Sequence, residues 1–250
     1  MPAWPADLLA RLTRATAAAL GLALFGAAAR AEYVPIPPDV IAWLGTSAPE
    51  AIQASVGGDL TGHGTKDWAG VVHRLVPPAE AQAASEADTV ARDDPLGGWQ
   101  IAVFLQQPDG HLRLAVASPP FSWDCGTSRC WMDFMSIERQ SVFVQRIWHW
   151  HGCFDNVMFQ FKARNGGWPL IGVKANSTED PYPDDGSTDT PSVAQLTDWN
   201  RITGDVVVHR TVGKRPDRVL RLRIVEPTVD LADFGDFSPP RHEKLPSTCN

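Results

Sequence analysis

From Trp68 onward the apolar residues recur at short period and are broken by turn residues, and this pattern limits what the chain can fold into more than any other. The segments WAGVVHRLV, WQIAVFLQQ and LRLAVAS come first, the last two joined by PDGH, a turn with hairpin character. WMDFMSIE, SVFVQRIWHW and NVMFQFKAR follow, then NGG as a second turn before WPLIGVKA; RITGDVVVHRTV and RVLRLRIVEP close the series. About nine strands joined mostly by short connections predict an all-β antiparallel meander, folded as a β-sandwich or a small β-propeller-like domain. One short N-terminal helix is expected from Pro38 to Trp43, extending toward Ala54, with Asp39 as its cap and Val40, Leu44 and Ile52 facing inward. Gly45 and Pro49 shorten and break it. Two polar stretches, about 77–98 and 175–192, are rich in acids, Pro and other turn formers and are expected as loops.

Residues 1–31 read as a signal peptide. Arg11 and Arg14 precede the apolar run Ala17–Ala29, which ends in Ala29-Arg30-Ala31. The run is shorter than the roughly 20 residues that a hydrocarbon core demands. Cleavage ahead of Glu32 would leave one β-rich domain, 32–250, periplasmic or secreted, with no membrane insertion after signal removal. The chain carries a net charge of −7; taking away three arginines and one aspartate with residues 1–31 deepens it to −9. So acidic a surface argues against nucleic acid and anionic lipid as partners, because both need a positive field. A hydrophobic content of 44% and ten tryptophans suffice for a packed core.

Cys125, Cys130, Cys153 and Cys249 all lie beyond the signal, and an even count in an exported chain reads as disulfides. The favoured pairing joins Cys125 to Cys130 around the short GTSR loop, and Cys153 to Cys249 so that the tail is tied to the body. A zinc site is disfavoured, since C-x4-C without a nearby second pair is not a usual zinc spacing.

The motif with most chemical content is GDLTGHGTKDW, Gly58 to Trp68. Calcium loops offer oxygen ligands at alternate positions and a glycine at the sixth. Counted from Asp59, the ligand slots fall on Asp59, Thr61, His63, Thr65 through its carbonyl, and Asp67, with Gly64 at the bend. The frame is intact while its middle is degenerate: Thr61 brings a neutral hydroxyl and His63 a nitrogen, which calcium disfavours. A loop held by Asp59, Thr61 and Thr65 hydrogen bonds to its own backbone is the favoured expectation, with no cofactor. Bound Ca2+, or a transition ion on Asp59, His63 and Asp67, is the alternative.

GDLTGHGTKDW resembles the GDLNGDG-x-x-D-Y loop of a group of exported bacterial proteins of mostly unassigned function, itself similar to the calcium loops of integrin-like (FG-GAP type) repeats. IAVFLQQPDGHLRL, FQFKARNGGWPLIGV and TDWNRITGDVVV are also similar to that group, so that the resemblance covers most of residues 56–235. It implies a β-rich, non-catalytic exported domain whose better-preserved relatives bind calcium. It also implies an alternative role, a periplasmic inhibitor or immunity protein with a cell-wall lytic hydrolase as its partner.

Other candidates are weaker. In WHWH, Trp148 to His151, a strand would place His149 and His151 on one face, where a zinc site would need His73 or His209 as a third ligand. Half-exposed histidines opposite a buried tryptophan face are the simpler reading. The carboxylates Glu179, Asp180, Asp184, Asp185 and Asp189 crowd a turn-rich stretch that reads as solvated loop. Trp123 and Trp131 flank the Cys125–Cys130 loop and are either core residues or a recognition tip. The chain lacks G-x-S-x-G, H-E-x-x-H, a phosphate loop and a dinucleotide fingerprint. The expected function is therefore a non-catalytic binding or structural protein, with the inhibitor as alternative and a glycan hydrolase third.

Overall fold

Among the described residues the alternation in sequence becomes eleven antiparallel strands in two sheets. A computed structural model describes residues 35–46, 51–73, 98–121, 129–150, 152–179, 191–235 and 242–246, all within the compact unit Val34–Asn250. Strands β1 (Ile52–Gly58), β2 (Asp67–His73), β3 (Trp99–Gln106) and β4 (Leu112–Ala117) form a four-stranded sheet in chain order. The seven-stranded sheet holds β5 (Arg129–Glu138), β6 (Ser141–Trp150), β7 (Cys153–Lys162), β8 (Leu170–Glu179), β9 (Val193–Asn200), β10 (Asp205–Val212) and β11 (Arg218–Arg223), again in chain order. Strand β7 shows the reason plainly: Cys153, Asp155, Val157, Phe159 and Phe161 are buried while the residues between them are partly exposed.

One hydrophobic core is shared by both sheets. Ala69, Val71, Ile101 and Val103 enter it from the smaller sheet, and Val144, Val157, Phe159, Phe161, Val173 and Trp199 from the larger. After β11 a 3₁₀ turn, Leu231–Asp233, caps this core, and Phe234 meets Phe159 and Phe161 edge-on with ring centroids 5.4 and 5.2 Å away. The opposite face of the smaller sheet is covered by helix α1 (Pro38–Leu44), whose Val40 and Leu44 pack with Trp68, Val72, Ala102 and Phe104. With both faces covered, every residue of β2 is buried. Two sheets around a common core are a sandwich arrangement and not the radial blades of a propeller.

The sheets approach each other closely along β1 and β5. A Cβ at Gly58 would lie 2.9 Å from both Cβ and Cγ2 of Ile137, so glycine is what lets the strands come together there. The β5–β6 hairpin turns on Arg139 and Gln140, with φ of 50° and 62°, the left-handed region that a two-residue hairpin demands and that side chains disfavour.

Four expectations need correction. The described residues hold eleven strands rather than about nine. Ile52 opens β1 instead of extending the helix, which stops at Gly45 with φ 74°. Asp39 does not cap α1; the N-cap is Pro37 without a side-chain bond, and the Asp39 carboxylate instead accepts the Leu112 N–H at 2.8 Å. Strand β8 runs on to Glu179, five residues into the stretch expected as loop from 175. The stretches 1–34 and 74–97 lie outside the described residues, and with them the expected signal peptide and nearly all of the first expected loop.

Replacing Gly58 with Ala should destabilise the protein by about 1–3 kcal/mol, the usual cost of overpacking. Trimming Ile137 to Ala in the same chain should recover part of that loss. Urea melts of the two single variants and the double variant check this, and strict additivity would contradict it.

Candidate functional site

The turn between β1 and β2 is built around two aspartates. Oδ1 of Asp59 accepts the N–H groups of Thr61 at 3.1 Å and Gly62 at 2.7 Å, and Oδ2 accepts that of Gly64 at 2.8 Å. The Thr61 and Thr65 hydroxyls approach Oδ1 at 3.2 and 3.4 Å and each other at 2.8 Å. Gly62 and Gly64 hold φ of 78° and 75°, which turns their N–H groups inward and is why glycine stands there. The Gly64 N–H, ahead of burial acting in the opposite sense, and then the Gly62 and Thr61 donors, holds the Asp59 carboxyl below its ordinary value.

Asp67 closes the loop. It is 1% exposed; its Oδ2 accepts the Leu60 N–H at 2.7 Å and the Thr65 hydroxyl at 2.9 Å, and its Oδ1 accepts the Gln106 N–H of β3 at 2.9 Å. Gln106 returns the link, its Oε1 accepting the Lys66 N–H at 2.9 Å and its Nε2 donating to the Gly110 carbonyl at 3.3 Å. Leu60 anchors the loop in the main core. On the other side Gln140 lies so near that a Cβ at Gly62 would sit 2.0 Å from its Nε2. The loop thus fastens the β3–β4 turn and the β5–β6 hairpin to one end of the molecule.

The expected ligands Asp59, Thr61, Thr65 and Asp67 are brought together through side-chain oxygens, Thr65 by its hydroxyl. His63 is not; it is exposed, and only its N–H joins the network, at 3.3 Å from the Thr61 hydroxyl. Two carboxylates and two hydroxyls carry six oxygens at most, the lower bound of what calcium takes, and each carboxylate oxygen already accepts a donor from the protein. Among the described residues no three His, Cys, Asp or Glu side chains converge as a metal group would require.

The remaining candidates scatter. The backbone pairing of the larger sheet puts His149 on β6 and His209 on β10 four strands apart, about 19 Å at the usual strand spacing. His73 lies in the other sheet, stacked on Trp99 with ring centroids 4.8 Å apart, and His209 is 2.9 Å from Asp217. Among the described residues no cysteine is free, and Cys153 is buried. Trp123, Cys125, His151, Cys249 and the stretch 180–190 lie outside the described residues, as do the Cys130 and Trp131 side chains.

A polar row on the inner face of the larger sheet was not anticipated. Asp155, Ser177, Gln195 and Arg210 stand directly opposite one another across β7, β8, β9 and β10. Asp155, Ser177 and Gln195 are only 2%, 5% and 6% exposed. Gln195 donates to the Pro246 carbonyl at 3.1 Å, and its Oε1 receives Arg210 at 3.4 Å. One signal was available: in CFDNVMFQFK, Asp155 occupies an inward position of an otherwise apolar alternation. On the outer face Phe143, Met158, Gln160, Gly172, Lys174 and Asp198 line a depression of about 120 Å³, smaller than the roughly 300 Å³ at which ligand pockets begin.

Comparison with protein-family models, curated proteins and solved structures gave no match.

Because the Asp59 carboxyl sits below its ordinary value of 3.8, its contribution to stability is complete above that pH and is lost as pH falls through the lower folded value. Urea midpoints measured from pH 5 downward should therefore show an acid limb that flattens in Asp59→Asn. An unchanged acid limb in that variant would contradict the assignment.

Proposed function

We propose that this is an exported, non-catalytic β protein with a binding or structural role, in which the Asp59–Asp67 loop works as a metal-free clasp. The observation that carries the reading is the saturation of its two carboxylates: each oxygen of Asp59 and Asp67 already accepts at least one donor from the protein itself. A cation would have to displace those donors while gaining only two hydroxyls beyond the carboxylates, which gives it little differential affinity. Thr61 and Thr65 supply by hydrogen bonding the cohesion that an ion supplies in a loop richer in acids.

The thermal melting temperature should be the same in chelator and in millimolar calcium. A rise of several degrees with calcium, reversed by chelator, would overturn the reading, since any ion bound to the folded state alone must stabilise it.

The export signal and the pairs Cys125–Cys130 and Cys153–Cys249 belong to the same proposal. Burial of Cys153 at the start of β7 suits a structural bond there. Mass mapping of the unreduced, exported protein should give an N-terminus at Glu32 and a Cys153–Cys249 peptide; a link from Cys153 to Cys125 or Cys130 would refute the pairing. The second reading, an inhibitor or immunity protein against a cell-wall lytic enzyme, is favoured by the exposed strand β11, which pairs on one side alone among the described strands and so offers a protein partner an edge.

A further inference from the structure

Two sheets have four edges, and among the described residues three of them are attended. Strands β1 and β5 run against each other, and β4 lies beside the 3₁₀ turn Leu231–Asp233. Strand β11 pairs with β10 on one side, and no described strand pairs with its other side. Its six residues, RVLRLR, are nearly all exposed, including Val219 at 48% and Leu220 at 40%.

The charge on this edge opposes that of the chain. Residues 205–223 carry six lysines and arginines against two aspartates, in a protein of net charge −7. Asp205 stands directly opposite Arg223, but its carboxylate accepts the Thr203 hydroxyl at 2.7 Å, and Asp217 lies 2.9 Å from His209. Arg218, Arg221 and Arg223 make no ion pair or side-chain hydrogen bond among the described residues. Arg218 moreover stands directly opposite Arg210 on β10, which sets two cations side by side at this end of the edge.

We propose that β11 is a docking edge for an acidic extended segment of another protein, which adds to the larger sheet as an antiparallel strand. The inference rests on the binding reading above and names the partner's chemistry; it is independent of whether the loop holds a metal. The register of β11 on β10 sets the pattern required. Leu222 and Leu220 oppose the buried Val206 and Val208, so they and Arg218 face inward, while Val219, Arg221 and Arg223 face outward. An antiparallel partner therefore needs carboxylates opposite Arg223, Arg221 and Arg218 and apolar residues between, which reads Glu-Val-Glu-Val-Val-Glu from its N-terminus. A second copy of this chain is a poor occupant. Paired about its centre, β11 would set Arg218 against Arg223 and leave every arginine without a counter-charge.

The test uses the full mature protein and three probes: a peptide containing Glu-Val-Glu-Val-Val-Glu, a peptide of the same composition interrupted by prolines, and a short single-stranded DNA. The first should bind with a dissociation constant in the micromolar range, weaken several-fold with added salt, and slow amide hydrogen exchange within 218–223. Arg221→Glu should weaken it about tenfold, and the triple reversal R218E/R221E/R223E should abolish it while accepting Lys-Val-Lys-Val-Val-Lys instead. All three substituted positions are exposed, and Arg221→Glu alone keeps the test standing if the triple variant fails to fold. Equal binding of the proline-interrupted peptide or of DNA would reduce the edge to an unspecific cationic patch and overturn the proposal. So would no binding at all, which would leave the arginines as guards against edge aggregation, and so would a dimer joined through β11. Failure here with a calcium-insensitive melt would leave the loop reading intact.

Discussion

A buried carboxylate must be satisfied where it lies, and Asp67 meets that demand with three donors from two directions. Leu60 and Thr65 reach it from within the loop and Gln106 from β3. The consequence is mechanical. The direction in which β1 leaves β2 is fixed by the loop, and the course of β1 decides whether Gly58 meets Ile137 and the two sheets close over one core. Losing the carboxylate would strand the Leu60 and Gln106 N–H groups, at a cost of about 1–3 kcal/mol each. The two threonines that stand in ligand slots of the motif tie the loop together, their hydroxyls bonding to each other and to the two aspartates.

The fold was legible where alternation is apolar and hidden where it is not. Strands such as β7 declare themselves through Val157, Phe159 and Phe161. Strand β9 escaped notice because its inward positions hold Gln195 and Thr197 beside a single Trp199, so its sequence reads as a polar connection. Strand β1 was absorbed into the tail of the expected helix, since Ile52 fits either period when a glycine and a proline precede it. The Arg139–Gln140 turn could not be read at all, because the residues that betray left-handed turns are glycine and asparagine.

The site shows the same division. Glycine spacing and the terminal aspartates gave away the loop's frame, and the structure places Asp59, Thr61, Thr65 and Asp67 together. What no spacing could convey is the approach of Gln106 from β3 and of Gln140 from the β5–β6 turn. The inner-face row of Asp155, Ser177, Gln195 and Arg210 is likewise a property of register, spread over four strands with no local signature. A meander laid out in chain order also necessarily leaves terminal strands at the sheet margins, and β11 is the margin that arginines occupy.

The central claim is that this loop holds its shape by its own hydrogen bonds. Amide proton spectra of protein stripped with chelator address it most directly, through the Gly62 and Gly64 N–H groups that donate to Asp59. Both should give sharp, exchange-protected signals that do not move when calcium is added. Broad or fast-exchanging signals that become ordered only with calcium would contradict it.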